Sequence, residues 1–158
     1  MLPFEIRQAT ESDADRIFDV HRDSVVRLCI GSYTAEQIRC WLDGRNASMY
    51  LAAIRRGDLW VAENNGLLGF VEVEGEELTK LFVHGERAQA GVGKSLLEKA
   101  VSEISTRGHA RVYLESTTNA RPFYERHGFT ILGTGHFSHG NSGVALEITR
   151  MERKVPRV

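Results

Sequence analysis

The sequence predicts a mixed α/β domain whose twisted, mostly antiparallel sheet is flanked by helices and turns parallel after a glycine-rich loop. Three observations carry that expectation. Between Leu59 and Val83, three short apolar runs are separated by turn residues, the pattern of an antiparallel meander. From Val83 to Leu97 the chain reads Val-His-Gly-Glu-Arg-Ala-Gln-Ala-Gly-Val-Gly-Lys-Ser-Leu-Leu, joining the last run to a glycine-rich turn and then a helical pattern. Another strand follows at Arg111–Glu115, and a strand, helix and strand of this size imply a parallel pair with a crossover helix. The 158 residues fit one domain, 1–158, long enough to bury about two thirds of the surface of the unfolded chain.

Taken in order, Phe4 to Arg7 alternate as a short strand, and Thr10-Glu11-Ser12-Asp13 supply capping groups before Ile17, Val20, His21, Val25 and Leu28 recur at helical spacing. Gly31 ends this helix, and Thr34-Ala35-Glu36-Gln37 form a capping box for a second one carrying Ile38, Trp41 and Leu42. A short helical piece is expected around Tyr50–Arg55. Leu59–Ala62 and Leu67–Val73 flank Asn65-Gly66, a hairpin signal because both residues tolerate positive φ. Gly75-Glu76 turns the chain into the strand Leu78–Val83. From Val92, the residues Leu96, Leu97, Ala100, Val101 and Ile104 form one helical stripe stopped by Gly108. Asn119 is placed to cap a short helix through His127, with Pro122 in its first turn and Gly128 at its end. Phe129–Gly133 and Val144–Met151 supply the last strands.

Composition excludes several classes. A net charge of −1 argues against broad attachment to nucleic acid or membrane. No apolar run approaches the roughly 18 residues of a membrane helix, and the N-terminus lacks a signal peptide's basic and apolar regions. Cys29 and Cys40 fall in helical patterns rather than at metal-ligand spacing, which fits reduced thiols and a cytoplasmic setting.

The glycine-rich stretch has the syntax of a phosphate site. A helix start leaves backbone N–H groups without intrahelical partners, its dipole is positive there, and glycine admits a ligand close to the backbone. Gly93-Lys94-Ser95 suggests a P-loop, but that pattern demands glycine where Ala88 stands. A P-loop also follows the first strand of a parallel unit, whereas several strands come first here, and only Glu115 could serve as its magnesium-directed acid. The alternative takes Gly91 and Gly93 as the G-x-G opening a helix that cradles the pyrophosphate of coenzyme A.

The order of elements, Leu81-Phe82-Val83 before Gly91-Val92-Gly93-Lys94-Ser95-Leu96-Leu97, and the later Phe123-Tyr124-Glu125-Arg126-His127-Gly128-Phe129 together resemble the GNAT superfamily of acetyl-CoA-dependent N-acetyltransferases. The resemblance covers nearly the whole chain, including the closing strand Ile148–Lys154. Ser32-Tyr33-Thr34-Ala35-Glu36-Gln37-Ile38 is similar to a poorly assigned bacterial subgroup. Three positions depart from the family pattern: Ala88 and Gln89 stand where arginine or glutamine and then glycine are usual, and Thr117 stands where asparagine is often found, with Asn119 close by.

The resemblance implies that acetyl-CoA is the cosubstrate. Its pyrophosphate would lie on Ala88, Gln89, Ala90, Gly91, Val92, Gly93 and Lys94, its pantetheine arm along Leu81, Phe82 and Val83, and Thr117 or Asn119 would add a contact. Tyr124 matches the tyrosine that donates to the departing sulfur. A phenol near pKa ~10 does not fully protonate a thiolate near ~8.5, so it stabilises charge as the C–S bond breaks. An attacking amine must lose its proton, which makes Glu72, Glu74 or Glu77 the expected base, with Glu115 a weaker candidate. Their alternative reading is an acidic hairpin end in solvent. His136 and His139 are expected in a Gly- and Ser-rich loop without the ligand set of a metal site. The implied activity is direct acetyl transfer to a primary amine of a small molecule, peptide or protein in a ternary complex, without a covalent enzyme intermediate. A homodimer is compatible with the sequence. A non-catalytic CoA-binding regulatory module is the second reading, and a P-loop nucleotide hydrolase the third.

Overall fold

The computed structural model describes residues 3–28, 31, 33–42, 46–85, 91–138 and 145–155. Cys29, Ser32, Arg87, Ala88, Gln89, Ala90, His139 and Val144 lie outside the described residues, as do the side chains of Leu28, Cys40, Trp41 and Leu42.

Strand β1 (Glu5–Gln8) is followed by a short 3-10 turn at Glu11–Asp13 and helix α1 (Ala14–Leu28). The Asp13 carboxylate accepts the backbone N–H of Thr10 at 2.8 Å and both terminal nitrogens of Arg7 at 2.8 and 3.0 Å. The Arg7 guanidinium, with the Thr10 amide, outweighs burial and holds Asp13 at a pKa of about 2. This pair ties the first strand to the first helix. Helix α2 (Ala35–Leu42) begins with the expected capping box: Gln37 N donates to Thr34 Oγ1 at 3.1 Å, and Thr34 N to Gln37 Oε1 at 2.8 Å. A 3-10 turn at Ala47–Tyr50 leads into helix α3 (Leu51–Arg56).

The meander forms as expected, with β2 (Leu59–Glu63), β3 (Leu67–Glu74) and β4 (Glu77–Val83). Asn65 and Gly66 both take positive φ in the first turn, and Gly75 does so in the second. Helix α4 (Val92–Thr106) crosses over to β5 (Arg111–Thr117), and α5 (Arg121–Arg126), β6 (Thr130–Ser138) and β7 (Ala145–Lys154) complete the chain. The sheet order is β1-β2-β3-β4-β5-β7-β6, with β4–β5 the only parallel pair among the described strands.

Two expectations need correction. Asn119 does not cap α5: the cap is Ala120, whose N–H donates to Thr117 O at 3.2 Å, and Pro122 falls in the first helical turn. His136 is not in a loop, because β6 runs five residues past Gly133 and pairs His136 with Glu147 on β7.

Helices cover both faces of the sheet. Ile17, Val20, Tyr50, Ile54, Leu59, Val61 and Phe70 form the core under α1 and α3. Trp60, Val71, Val73, Leu96, Leu97, Ile104, Leu114 and Met151 form the core under α4. Alternation along β3 therefore sends Phe70 and Glu72 to the α1 face, and Val71 and Val73 to the α4 face.

Candidate active site

The site begins as a fault in the sheet. β4 and β5 share one bridge, Glu77 with Tyr113, where Tyr113 N donates to Glu76 O at 3.0 Å. Just beyond it the β3–β4 register shifts: Glu72 pairs with Lys80, but Val73 pairs with Leu78, which leaves Thr79 as the extra residue of a bulge. A bulge bends its strand, and past this point a cleft of about 320 Å3 opens between β4 and β5.

The backbone of both walls is directed by hydrogen-bond alternation. His84 N donates to Leu68 O at 2.7 Å, so in this register Phe82 and Lys80 turn their N–H and C=O toward β3. Leu81 and Val83 turn theirs toward β5, and of these two Leu81 lines the cleft and Val83 does not. Of the three residues expected along a pantetheine arm, Leu81 and Val83 thus offer backbone groups, while Phe82 instead stacks its ring on His21 with centroids 4.1 Å apart. On the other wall Val155 N bonds Ala110 O, and the same alternation turns Glu115 and Thr117 into the cleft. Thr117 lines the cleft and Asn119 does not.

Beside Val83, where β4 ends, lies the start of α4. Gly91 is its N-cap at φ +77°, a conformation that favours glycine. Gly93 is different: the nearest atoms that a Cβ there would meet among the described residues belong to Phe123 at 3.5 Å and Val83 at 3.6 Å, ordinary contacts. The N–H groups of Val92, Gly93 and Lys94 belong to the first helical turn, where no intrahelical acceptor exists. The Lys94 side chain is exposed and Val92 is fully buried.

Tyr124 borders the cleft from α5 and packs edge-on against Phe123 and Phe129, with centroids 5.3 and 5.6 Å away. Burial pushes its phenol well above the usual tyrosine range, so the hydroxyl remains a proton donor at neutral pH. The three candidate glutamates separate clearly. Glu77 lines the cleft, and burial, followed by the charges of Glu115 and Glu74, raises its carboxyl pKa. Glu72 is buried in an ion pair with Lys80, 3.1 Å from Oε2, and Lys80 rather than Glu72 borders the cleft. Glu74 is exposed at the hairpin end. Glu115 lines the rim, accepting from Tyr113 OH at 3.1 Å with Arg150 at 3.8 Å.

Among the cleft residues without an assigned role in the sequence are His21 and Tyr33. His21, fully buried on α1, shares a 2.7 Å hydrogen bond between Nδ1 and Tyr50 OH. Tyr33, just before α2, donates to Glu147 O and accepts from Thr118 N, both at 2.8 Å. A histidine within an apolar helical stripe was the available signal for the first, whereas the second rests on a contact 85 residues away. Among the described residues no group of three or more His, Cys, Asp or Glu is placed to hold a metal, and no helix is long and apolar enough to cross a membrane.

A model of the acetyltransferase (GNAT) domain family matches residues 29–150. No curated protein matches the chain. Among solved structures, a GCN5-related N-acetyltransferase from Rhodopseudomonas palustris is similar at 22% identity over 96% of each chain, with a TM-score of 0.85. The PaiA N-acetyltransferase of Thermoplasma acidophilum, solved with coenzyme A, is 24% identical over 96% of this chain and 99% of its own, with a TM-score of 0.78. YncA of Salmonella typhimurium, solved with acetyl-CoA, is 19% identical over 98% of this chain and 95% of its own, with a TM-score of 0.71. At these identities the likeness to the solved structures is one of fold.

Proposed function

The chain belongs to the acetyltransferase (GNAT) domain family, and we propose that its β4–β5 cleft binds acetyl-CoA and delivers the acetyl group to a primary amine approaching from the α1–α2 face. The observation that carries this reading is the single bridge between β4 and β5, which leaves an open cleft between the strands, with Gly93 of α4 beside Val83 at the end of β4. A thioester arm suits that cleft because Leu81 and Val83 present strand-like donors and acceptors, while Gly91 and Gly93 leave room for an anion at the helix start. The proposal covers one domain over residues 1–158. It places the protein in the cytoplasm, since a cosubstrate carrying several phosphates does not cross a membrane unaided.

Acetyl-CoA supplies the activated acyl group, and the chain's residues supply placement and proton traffic. Strand and helix-start N–H groups orient the cosubstrate, so amine and carbonyl meet without the entropy loss of a bimolecular encounter. Glu77 accepts a proton from the attacking amine, directly or through water, and its raised pKa makes it a better base than an ordinary carboxylate. Tyr124 donates a hydrogen bond to the departing sulfur. Glu72 keeps the Lys80 ammonium paired beside the acceptor path. The acceptor is a small-molecule amine or a peptide or protein amine.

The test is to mix the intact protein with acetyl-CoA and a panel of amines and to follow thiol release. Amine-dependent thiol release that Tyr124→Phe suppresses supports the proposal. Tight acetyl-CoA binding with no release for any amine would instead support a CoA-binding regulatory module, the reading favoured by Ala88 and Thr117 standing at positions where the family has other residues.

A further inference from the structure

We propose that the α1–α2 unit braces the mouth of the cofactor cleft, with Asp23 and Tyr33 as positioning residues that set the separation of β4 and β5 and hence the affinity for acetyl-CoA. The proposal rests on the assignment of that cleft to acetyl-CoA. Its motivation is mechanical: the two strands are joined at one end by a single bridge, and past the bulge neither hydrogen-bonds to the other. Something else must hold their far ends at a fixed distance, and the same helical unit reaches both.

On the β4 side, Asp23 of α1 accepts the backbone N–H of Gly85 at 2.6 Å, two residues past the end of the strand. Its other oxygen accepts from Arg27 Nε at 2.7 Å, which fixes the carboxylate rotamer, and His84 Nδ1 lies 3.6 Å from Oδ2. The approach is close enough to exclude a side chain: a Cβ on Gly85 would stand 2.6 Å from Arg27 Cδ and 2.8 Å from Arg27 Cβ. On the β5 side, Tyr33 OH accepts the N–H of Thr118, the residue after the strand, and donates to Glu147 O on β7. Between these anchors Val25, Tyr33, Ile38 and Leu146 form a small apolar core that also touches Phe82 of β4. The brace therefore contacts both walls of the cleft at its open end, on the face from which the acceptor approaches. It links two sites that must be occupied together, so whatever factor acetyl-CoA applies to acceptor affinity the acceptor applies equally to acetyl-CoA affinity.

The experiment measures acetyl-CoA affinity by calorimetry, alongside steady-state kinetics and the melting temperature of the unliganded protein, for wild type, Asp23→Ala, Asp23→Asn and Tyr33→Phe. Loss of a hydrogen bond involving a charged group is expected to raise the Kd of Asp23→Ala about tenfold. Tyr33→Phe, which keeps the ring packing, is expected to raise it several-fold. In both, KM for acetyl-CoA rises, and in Asp23→Ala kcat at saturation stays within about twofold, because Asp23 does not line the cleft. Asp23→Asn retains a side-chain oxygen for Gly85 N–H and recovers most of the affinity. A lowered melting temperature with unchanged Kd in Asp23→Ala and Tyr33→Phe would overturn the brace and leave both residues as ordinary anchors. A fall in kcat without a change in Kd would overturn it too. If wild type binds no acetyl-CoA, the assignment of the cleft fails and takes the brace with it, a result distinct from wild-type binding that the variants leave untouched.

Discussion

Tyr124 and Glu77 sit in one cleft with opposite tasks, and burial prepares each for its own. Burial raises the Tyr124 phenol, keeping the proton on a hydroxyl meant to donate. Tyr124→Phe removes only the hydroxyl, so kcat is expected to fall about 10- to 100-fold with acetyl-CoA Kd within about twofold, read by single-turnover thiol release and calorimetry. Burial raises Glu77 as well, and there the sign runs against stability at neutral pH. A carboxyl that binds its proton more tightly when folded stabilises the fold at low pH, and that contribution is lost as pH rises through the folded pKa. Glu77→Gln is therefore expected to raise the melting temperature at pH 7 while lowering kcat. In wild type, one ionisation on the acid limb of kcat is expected to belong to Glu77, raised from its ordinary value, and the variant is expected to lose it. A variant that melts lower and retains that ionisation would remove Glu77 as base. The sequence made Tyr124 visible through its motif. It could not separate Glu72, Glu74 and Glu77, because what separates them is a bulge at Thr79 and a cross-strand lysine.

Local chemistry made most elements readable. Both hairpin turns needed positive φ and carried glycine, and the Thr34–Gln37 box closed through two hydrogen bonds. The misreadings arose where neighbours decide. β6 continues through Gly135 and His136 because β7 offers a partner at each position, a contact that local composition does not encode. Asn119 lost the cap of α5 to Ala120, whose N–H reaches back to Thr117. Gly69 on β3 is another position whose requirement is tertiary. A Cβ there would lie 2.9 Å from the Phe82 carbonyl oxygen, 3.0 Å from Leu96 and 3.2 Å from Val92, so β3, β4 and α4 meet across it. Backbone cannot yield as a flexible side chain can, and Gly69→Ala is expected to cost about 1–3 kcal/mol. Urea unfolding with an unchanged m-value would measure it; a loss below about 0.5 kcal/mol would mean that the layers shift freely.

For the molecule as a whole, the crossover between β4 and β5 could be read from a strand, a helix and a strand in succession. The opening between those strands could not. It depends on a bulge set by β3, on backbone directions set by the outer strands, and on helices that reach both ends, none of which leaves a periodic trace. The consequence is that ligand and fold are coupled across the entire sheet: a ligand in the cleft joins two half-sheets that share one bridge. A cosubstrate that binds the folded chain alone adds RT ln(1 + [L]/Kd), about 2.7 kcal/mol at one hundred times Kd. For a chain of this length each kcal/mol moves the midpoint by about 2–4 °C, so saturating acetyl-CoA is expected to raise it by about 5–10 °C. ATP is expected to give no comparable shift, since Ala88 interrupts the P-loop pattern and the glycine turn follows the fourth strand of a mostly antiparallel sheet. Thermal melts of the intact protein with each nucleotide at equal concentration make the comparison directly. An ATP shift equal to or larger than that of acetyl-CoA would return Gly93-Lys94-Ser95 to the centre of the site and displace the acyl-transfer reading.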